Sequence, residues 1–190
     1  MSWTQTCSGQ AFDLLARDPL FTADDVCYGL GRETRFKGQY AAHVPFYSVA
    51  EHSVIMVEHL EDLGGFSVKD HRTVAMHDAP EFILGDLTRP VKREVLGFDD
   101  LEARVYSAIA RRFDLHDPIP IWVEELDDRM LLTERIHLMA PCSRRWEVDD
   151  LAPISANFRF WEPRQAVKEY RRLLNRLGVL RFSDEVGPCV

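Results

Sequence analysis

One short stretch of the sequence, residues 74–90, gathers side chains that can transfer protons or bind metal ions. An imidazole and three carboxylates lie there beside apolar residues: His77, Asp78, Glu81 and Asp86. On a helix, Glu81 would share a face with His77, four residues before it, and with Asp78, three residues before it. Because desolvating unpaired charges costs several kcal/mol, such groups usually have partners or bind a metal. The alternative is a solvated acidic helix edge, the ordinary interpretation of an isolated His-Asp dipeptide.

Two further residues on other predicted helices extend this pattern. His52 lies on a helical stripe one turn before Met56. Asp127 follows Val123 by four residues and therefore faces the apolar stripe of its helix, whereas Asp128 has more polar neighbours. Periodicity thus favours Asp127 over Asp128 as the aspartate that faces the core, without excluding Asp128.

Imidazole and carboxylate ligands supplied by separate helices suit a divalent ion such as Mn, Fe, Co or Zn. The order His, then His-Asp, then a distant Asp predicts a site with two histidine and two aspartate ligands. Spacing alone leaves this metal site and the solvated edge equally open. The predicted ligands are His52, His77, Asp78 and Asp127.

The elements that must position these residues are predicted to be helices. A capping box over residues 48–51 starts one helix, Pro80 interrupts another, and residues 141–160 are irregular. Runs at 46–47 and 179–182 are too short for strands. We therefore predict an all-α, single-domain helical bundle over residues 1–190, in which 141–190 form an irregular segment and a C-terminal helix packed on the rest. The predicted helices cover residues 22–30, 48–63, 67–81, 101–113, 120–139 and 163–178.

Composition narrows the classes of partner. The chain has 190 residues, 46% of them apolar, which is enough for one core without disulfides or structural metals. A net charge of −8 repels the backbone of nucleic acid polymers, although a small phosphorylated ligand remains possible. No apolar run approaches the length of a membrane span, and the opening MSWTQTCSGQ does not resemble a signal peptide. These features predict a cytoplasmic protein with no membrane partner.

Five segments together resemble a known family, the HD-domain phosphohydrolases, named for a His-Asp pair. The similarity is strongest to bacterial 5′-deoxynucleotidases and to related phage dATP triphosphohydrolases. It extends from near the start of the chain to about residue 139. The segments are SGQAFDLL (8–15), ETRFKGQ (33–39), FYSVAEHS (46–53), HDAPEFILGDLTRPVK (77–92) and LDDRMLLTE (126–134).

The resemblance implies a role for each matching residue. It implies the metal ligands His52, His77, Asp78 and Asp127, with Asp127 again preferred to Asp128. The cofactor would be a divalent ion: Co, Mn, Zn, Fe or Mg. It also implies a homodimer or a higher homo-oligomer. The remaining predicted site residues are Glu81 as catalytic glutamate, Asp86 as a carboxylate that holds the sugar or orients water, Arg35 on the phosphate, Phe36 beside the nucleoside, and Pro90 among the substrate contacts.

The function implied is metal-dependent hydrolysis of the 5′-phosphoester of deoxynucleotides, releasing deoxynucleoside and phosphate from deoxynucleoside monophosphates. One alternative is a triphosphohydrolase that releases triphosphate from dATP, since both substrates present the same 5′-oxygen. A second alternative is a module that binds a metal or nucleotide without catalysis. Glu81 and Arg35 argue against that module, because a purely structural metal site needs neither.

Overall fold

Amphipathic helices make up most of the computed structural model, which describes residues 2–182, and the predicted all-α bundle is confirmed. Among the described residues, no helix has the length and apolarity needed to cross a bilayer. The predicted segment 141–190 is irregular until the last helix, and its final eight residues lie outside the described range. The helices are α1 (Ala23–Arg32), α2 (Val49–Leu63), α3 (Val68–Met76), α4 (Glu81–Leu84), α5 (Arg89–Glu94), α6 (Phe98–Phe113), α7 (Ile121–Leu138) and α8 (Pro163–Arg176).

A small hairpin precedes the bundle, and the sequence did not predict it. Strand β1 (Trp3–Gln5) pairs antiparallel with β2 (Ala11–Asp13). Each strand has only three residues, which is too short for alternation to be visible in the sequence. Phe12 of β2 is buried, and its ring centroid lies 5.5 Å from those of Phe21 and Phe82. The hairpin is therefore attached to the core beside α4.

Helix α1 packs unusually closely on two neighbours because it carries glycine at both contacts. A Cβ atom at Gly29 would lie 2.5 Å from the Cβ of Phe82, on α4. A Cβ atom at Gly31 would lie 2.5 Å from Cγ2 of Val167, on α8, and 2.8 Å from its backbone nitrogen. The contact at Gly29 holds α4, which carries Glu81, against α1.

The predicted capping box at the start of α2 is only half right. The Ser48 side chain accepts a hydrogen bond from the Glu51 amide, as expected. The Glu51 carboxylate instead accepts from three consecutive amides: Arg159 at 2.6 Å, Phe160 at 2.9 Å and Trp161 at 2.9 Å. These three donors, distant in sequence, replace the single local donor of a capping box. Glu51 thereby ties the irregular segment to α2.

The predicted helix over residues 67–81 is interrupted earlier than its proline suggested. Helix α3 ends at Met76, residues 77–80 form turns, and α4 begins at Glu81. Pro80 has no amide hydrogen to donate, which is compatible with this break. The turn places His77 and Asp78 where their side chains can point inward together.

We expect Gly31→Ala to lower the free energy of unfolding by about 1–3 kcal/mol, because the added methyl group would overlap the backbone of α8. Urea denaturation measures this change. Glu125→Ala, at an exposed position of α7, is the control and should change stability by less than about 0.5 kcal/mol. Equal stability of Gly31→Ala and the parent protein would contradict the close contact.

Candidate metal centre

All four predicted ligands meet at one point in the bundle. His52 comes from α2, His77 and Asp78 from the turn after α3, and Asp127 from α7. One potential ligand atom of each residue lies within 4.8 Å of all the others. The His52 Nε2 atom is 3.2 Å from Asp127 Oδ1 and 3.4 Å from His77 Nε2. This arrangement can bind a metal ion.

The hydrogen bonds of the two histidines direct their lone pairs toward this point. His77 Nδ1 lies 2.8 Å from the Val74 carbonyl oxygen, which can only accept, so Nδ1 carries the hydrogen. His52 Nδ1 lies 2.7 Å from Oε1 of Glu134 and donates to that carboxylate. In the neutral imidazoles both Nε2 atoms are then acceptors facing each other. A cation between them removes this conflict, which is the usual arrangement of metal-bound histidine.

The electrostatics of the cluster also favour a cation. Burial opposes ionisation of Asp127, but the imidazoles of His52 and His77 hold the pKa of its carboxyl well below the ordinary value. Burial and Arg35 both act to lower the pKa of His52, but Glu134 and Asp127 outweigh them and raise it to about 9. The surrounding carboxylates thus stabilise positive charge at the position where a divalent ion would bind.

Of the two neighbouring aspartates, the structure brings Asp127 into the cluster and leaves Asp128 outside it. Arg89 donates hydrogen bonds to both, at 2.8 Å to Oδ2 of Asp127. The other oxygen of Asp127, Oδ1, is buried and has no hydrogen-bond partner within residues 2–182. A buried carboxylate oxygen without a partner, facing two imidazole nitrogens, is the kind of acceptor that a bound metal ion would satisfy.

Glu81 and Asp86 lie beside the cluster and are largely buried. Burial raises the pKa of Glu81 well above its usual value, and the negative charges of Asp78 and Asp86 add to this. Burial likewise raises the pKa of Asp86. Within the described part of the chain, neither Oε2 of Glu81 nor Oδ2 of Asp86 has a hydrogen-bond partner. Both carboxyls are therefore available to a ligand or for proton transfer.

A cleft of about 670 Å³ opens above these residues, within the range of small-molecule sites. Asp78 and Asp127 form part of its lining and connect it to the buried histidines. Trp146, from the irregular segment, lines it too, with its ring centroid 6.3 Å from that of Phe36. The other predicted site residues in the lining are Arg35, Glu81, Asp86 and Pro90.

Arg35 is buried and already paired with carboxylates. Its NH1 donates to Asp78 Oδ2 and its NH2 to Glu134 Oε2, both at 3.1 Å. The next two residues, Phe36 and Lys37, have φ values of 55° and 53°, which residues other than glycine rarely adopt. Strained backbone of this kind concentrates at functional sites. That Arg35 also contacts a phosphate stays a prediction.

Glu134, for which no role was predicted, contacts His52, Arg35 and Tyr47. A signal was present, because Glu134 follows Asp127 by seven residues and so lies two turns along the same face of α7. Trp146 also lines the cleft. The sequence allowed its irregular segment to cover the site but favoured a rim in which arginine packs on tryptophan, so Trp146 was not among the predicted site residues.

The chain is similar in sequence to uncharacterized proteins of two bacteria. No protein-family model matches it. It is 34% identical over 122 residues to an uncharacterized protein of Rhodobacter capsulatus, a match covering 63% of this chain and 62% of that protein. The chain therefore spans about three-fifths of that relative's length. It is 28% identical over 185 residues to the uncharacterized protein YfdR of Escherichia coli, covering 95% and 98% of the two chains. Neither name specifies an activity.

We expect Asp127→Asn to weaken Mn²⁺ binding by about 100-fold or more, because the charged oxygen that faces both imidazoles is lost. Isothermal titration calorimetry measures the affinity. The matched control is Asp128→Asn, the same change one residue along, which removes a contact to Arg89 but no proposed ligand. Equal losses in the two variants would show that the helix face is wrongly assigned.

Proposed function

We propose that the protein is a metal-dependent phosphohydrolase of the HD type that hydrolyses the 5′-phosphoester of deoxynucleoside monophosphates, releasing deoxynucleoside and phosphate. The observation that carries this proposal is the convergence of two histidines and two aspartates at a cleft of small-molecule size whose lining includes two further buried carboxyls. The resemblance to HD-domain phosphohydrolases supports it, because its motif residues are the ones that meet.

Each part of the centre has a distinct role in this proposal. His52, His77, Asp78 and Asp127 would hold the divalent ion, which supplies Lewis-acid chemistry: it offsets phosphate charge and lowers the pKa of water. The ion would be Co, Mn, Zn, Fe or Mg.

Glu81 is proposed to donate a proton to the departing 5′-oxygen. Its position directly after the metal-binding turn, its burial and its unpartnered Oε2 atom support this role. Burial raises the pKa of Glu81, a shift that favours the protonated form required of a general acid. Lys92, whose Nζ lies 3.5 Å from Glu81 Oε1, would stabilise the carboxylate that remains after proton transfer.

The sugar and base are proposed to occupy the more open part of the cleft. The unpartnered Oδ2 of Asp86 is a hydrogen-bond acceptor suited to the 3′-hydroxyl of the sugar. The aromatic faces of Phe36 and Trp146, with Pro90, offer an apolar surface for the nucleoside. Arg35 would contribute positive charge near the phosphate while remaining paired with Asp78.

The pairing of charged side chains in the cleft supports a nucleoside monophosphate as the substrate in preference to a nucleoside triphosphate. Every lysine and arginine of its lining already pairs with a carboxylate; for example, Lys37 pairs with Glu33 at 2.8 Å and Arg93 with Glu147 at 2.7 Å. A triphosphate tail would have to displace several such carboxylates to be neutralised, whereas a monophosphate would interact chiefly with the metal and Arg35. The cationic residues of the lining are Arg35, Lys37, Arg89, Lys92, Arg93 and Arg145.

A product assay tests the proposal. The protein loaded with Mn²⁺ or Co²⁺ is incubated separately with dAMP, AMP and dATP, and phosphate and triphosphate are quantified by ion chromatography. We expect phosphate from dAMP. Triphosphate from dATP, without phosphate from dAMP, would establish the triphosphohydrolase alternative instead. Release of neither product from any deoxynucleotide by metal-loaded protein would contradict hydrolysis altogether.

We expect Glu81→Gln to reduce the rate of dAMP hydrolysis by about 10²–10⁴-fold, because an amide is far too weak an acid to protonate the leaving oxygen. Metal affinity, measured by calorimetry, should stay close to that of the parent protein. Glu125→Gln makes the same change at an exposed position of α7 and should leave the rate unaltered. Undiminished hydrolysis by Glu81→Gln would show that Glu81 is not the proton donor.

We expect removal of divalent ions with a chelator to abolish hydrolysis and lower the melting temperature. An ion that binds only the folded state, at 100 times its dissociation constant, stabilises the fold by about 2.7 kcal/mol. Differential scanning calorimetry before and after chelation, and after addition of Mn²⁺, measures this effect. An unchanged melting temperature would argue against a bound ion.

A further inference from the structure

Glu134 is a buried carboxylate whose hydrogen bonds, in the described part of the chain, all go to side chains around the metal centre. Its side chain is 0% exposed. Oε1 accepts from His52 Nδ1 at 2.7 Å and from the Tyr47 hydroxyl at 2.9 Å, and Oε2 accepts from Arg35 at 3.1 Å. Arg35 and His52 thus face this carboxylate from two sides. It belongs to neither the predicted ligands nor the predicted catalytic residues.

We propose that Glu134 is a positioning residue that sets the metal affinity of the centre by fixing two of the four ligands. This inference rests on the metal site of the proposed function but does not depend on which reaction, if any, the metal supports. The first ligand it fixes is His52. A carboxylate that accepts the Nδ1 hydrogen holds the imidazole in the tautomer with a free Nε2 and makes that nitrogen more basic.

The second ligand is fixed through Arg35. One guanidinium nitrogen of Arg35 binds Glu134, and another binds Asp78 Oδ2 at 3.1 Å. The planar guanidinium thus holds the Asp78 carboxylate at a set distance from Glu134. Without Glu134, this buried arginine would lose one of the carboxylates that hold it. Asp78, which Arg35 contacts, would then no longer be held in a fixed position.

Helix α7 therefore defines the centre in two ways. It contributes Asp127 as a proposed ligand, and two turns later it contributes Glu134, which orients ligands arriving from α2 and from the turn after α3. Both residues lie on one face of one rigid helix. The positions of the ligands are therefore set relative to this helix. A merely structural ion pair would stabilise the fold but would have no effect on the metal affinity of the folded protein.

The test compares Glu134→Gln with the parent protein, using the full chain and Mn²⁺ or Co²⁺ as the probe. Glutamine keeps the volume but removes the charge that faces His52 and Arg35. We expect about 10–100-fold weaker binding by calorimetry, the loss typical when a metal-bound histidine loses its carboxylate partner. The visible spectrum of bound Co²⁺ should change as well, since it reports the arrangement of the ligands.

Glu51→Gln is the matched control. Glu51 is also a completely buried glutamate, but within residues 2–182 its carboxylate accepts only from backbone amides of residues 159–161. This variant should lose stability and keep its metal affinity. Parent-like affinity in Glu134→Gln, or equal losses of affinity in both variants, would overturn the proposal.

A second variant covers failure of Glu134→Gln to fold. Glu134→Asp keeps the charge but withdraws it by one methylene from His52 and Arg35, and it should also weaken metal binding; unchanged affinity would overturn the proposal. Parent protein that binds neither ion would contradict this inference and the proposed function together. Parent protein that binds metal but hydrolyses no deoxynucleotide would contradict only the proposed function, because the affinities alone decide the role of Glu134.

Discussion

The structure depends on one electrostatic constraint: two buried imidazoles and two half-buried carboxylates converge at the floor of the cleft, with their acceptor atoms facing one another. His77 donates its Nδ1 hydrogen to a backbone carbonyl and His52 donates its own to Glu134, so neither neutral ring can relieve the crowding of lone pairs. A cation is the simplest group that satisfies all four side chains at once. These groups come from three separate elements of the fold, and burying them costs folding free energy.

The rest of the bundle serves to hold these elements at fixed distances. Glycines in α1 allow close contact with α4 and α8, and the Glu51 carboxylate ties the irregular segment to the helix that carries His52. The strained turn at Phe36 puts an aromatic side chain in the cleft lining while Arg35 stays buried among carboxylates. The ordinary packing of the fold thus creates a cleft with a charged floor and aromatic walls.

Most of the fold and the four converging residues were predictable from the sequence, because helical spacing and the family resemblance report which face of a helix a residue occupies. Asp127 was separated from Asp128 in this way. The hairpin at residues 3–13 was not predictable, since strands of three residues carry no visible period. The partners of Glu51 and Glu134 were also missed, because their donors lie 108 and 82 residues away in the chain. Local patterns carry no information about such distant contacts.

The most direct test of the central claim is a crystal structure of the protein grown with Mn²⁺ or Co²⁺, with anomalous scattering recorded at the absorption edge of the metal. We predict an anomalous peak for one ion coordinated by His52, His77, Asp78 and Asp127. An ion bound elsewhere, or no peak between these side chains when the metal is in excess, would contradict it.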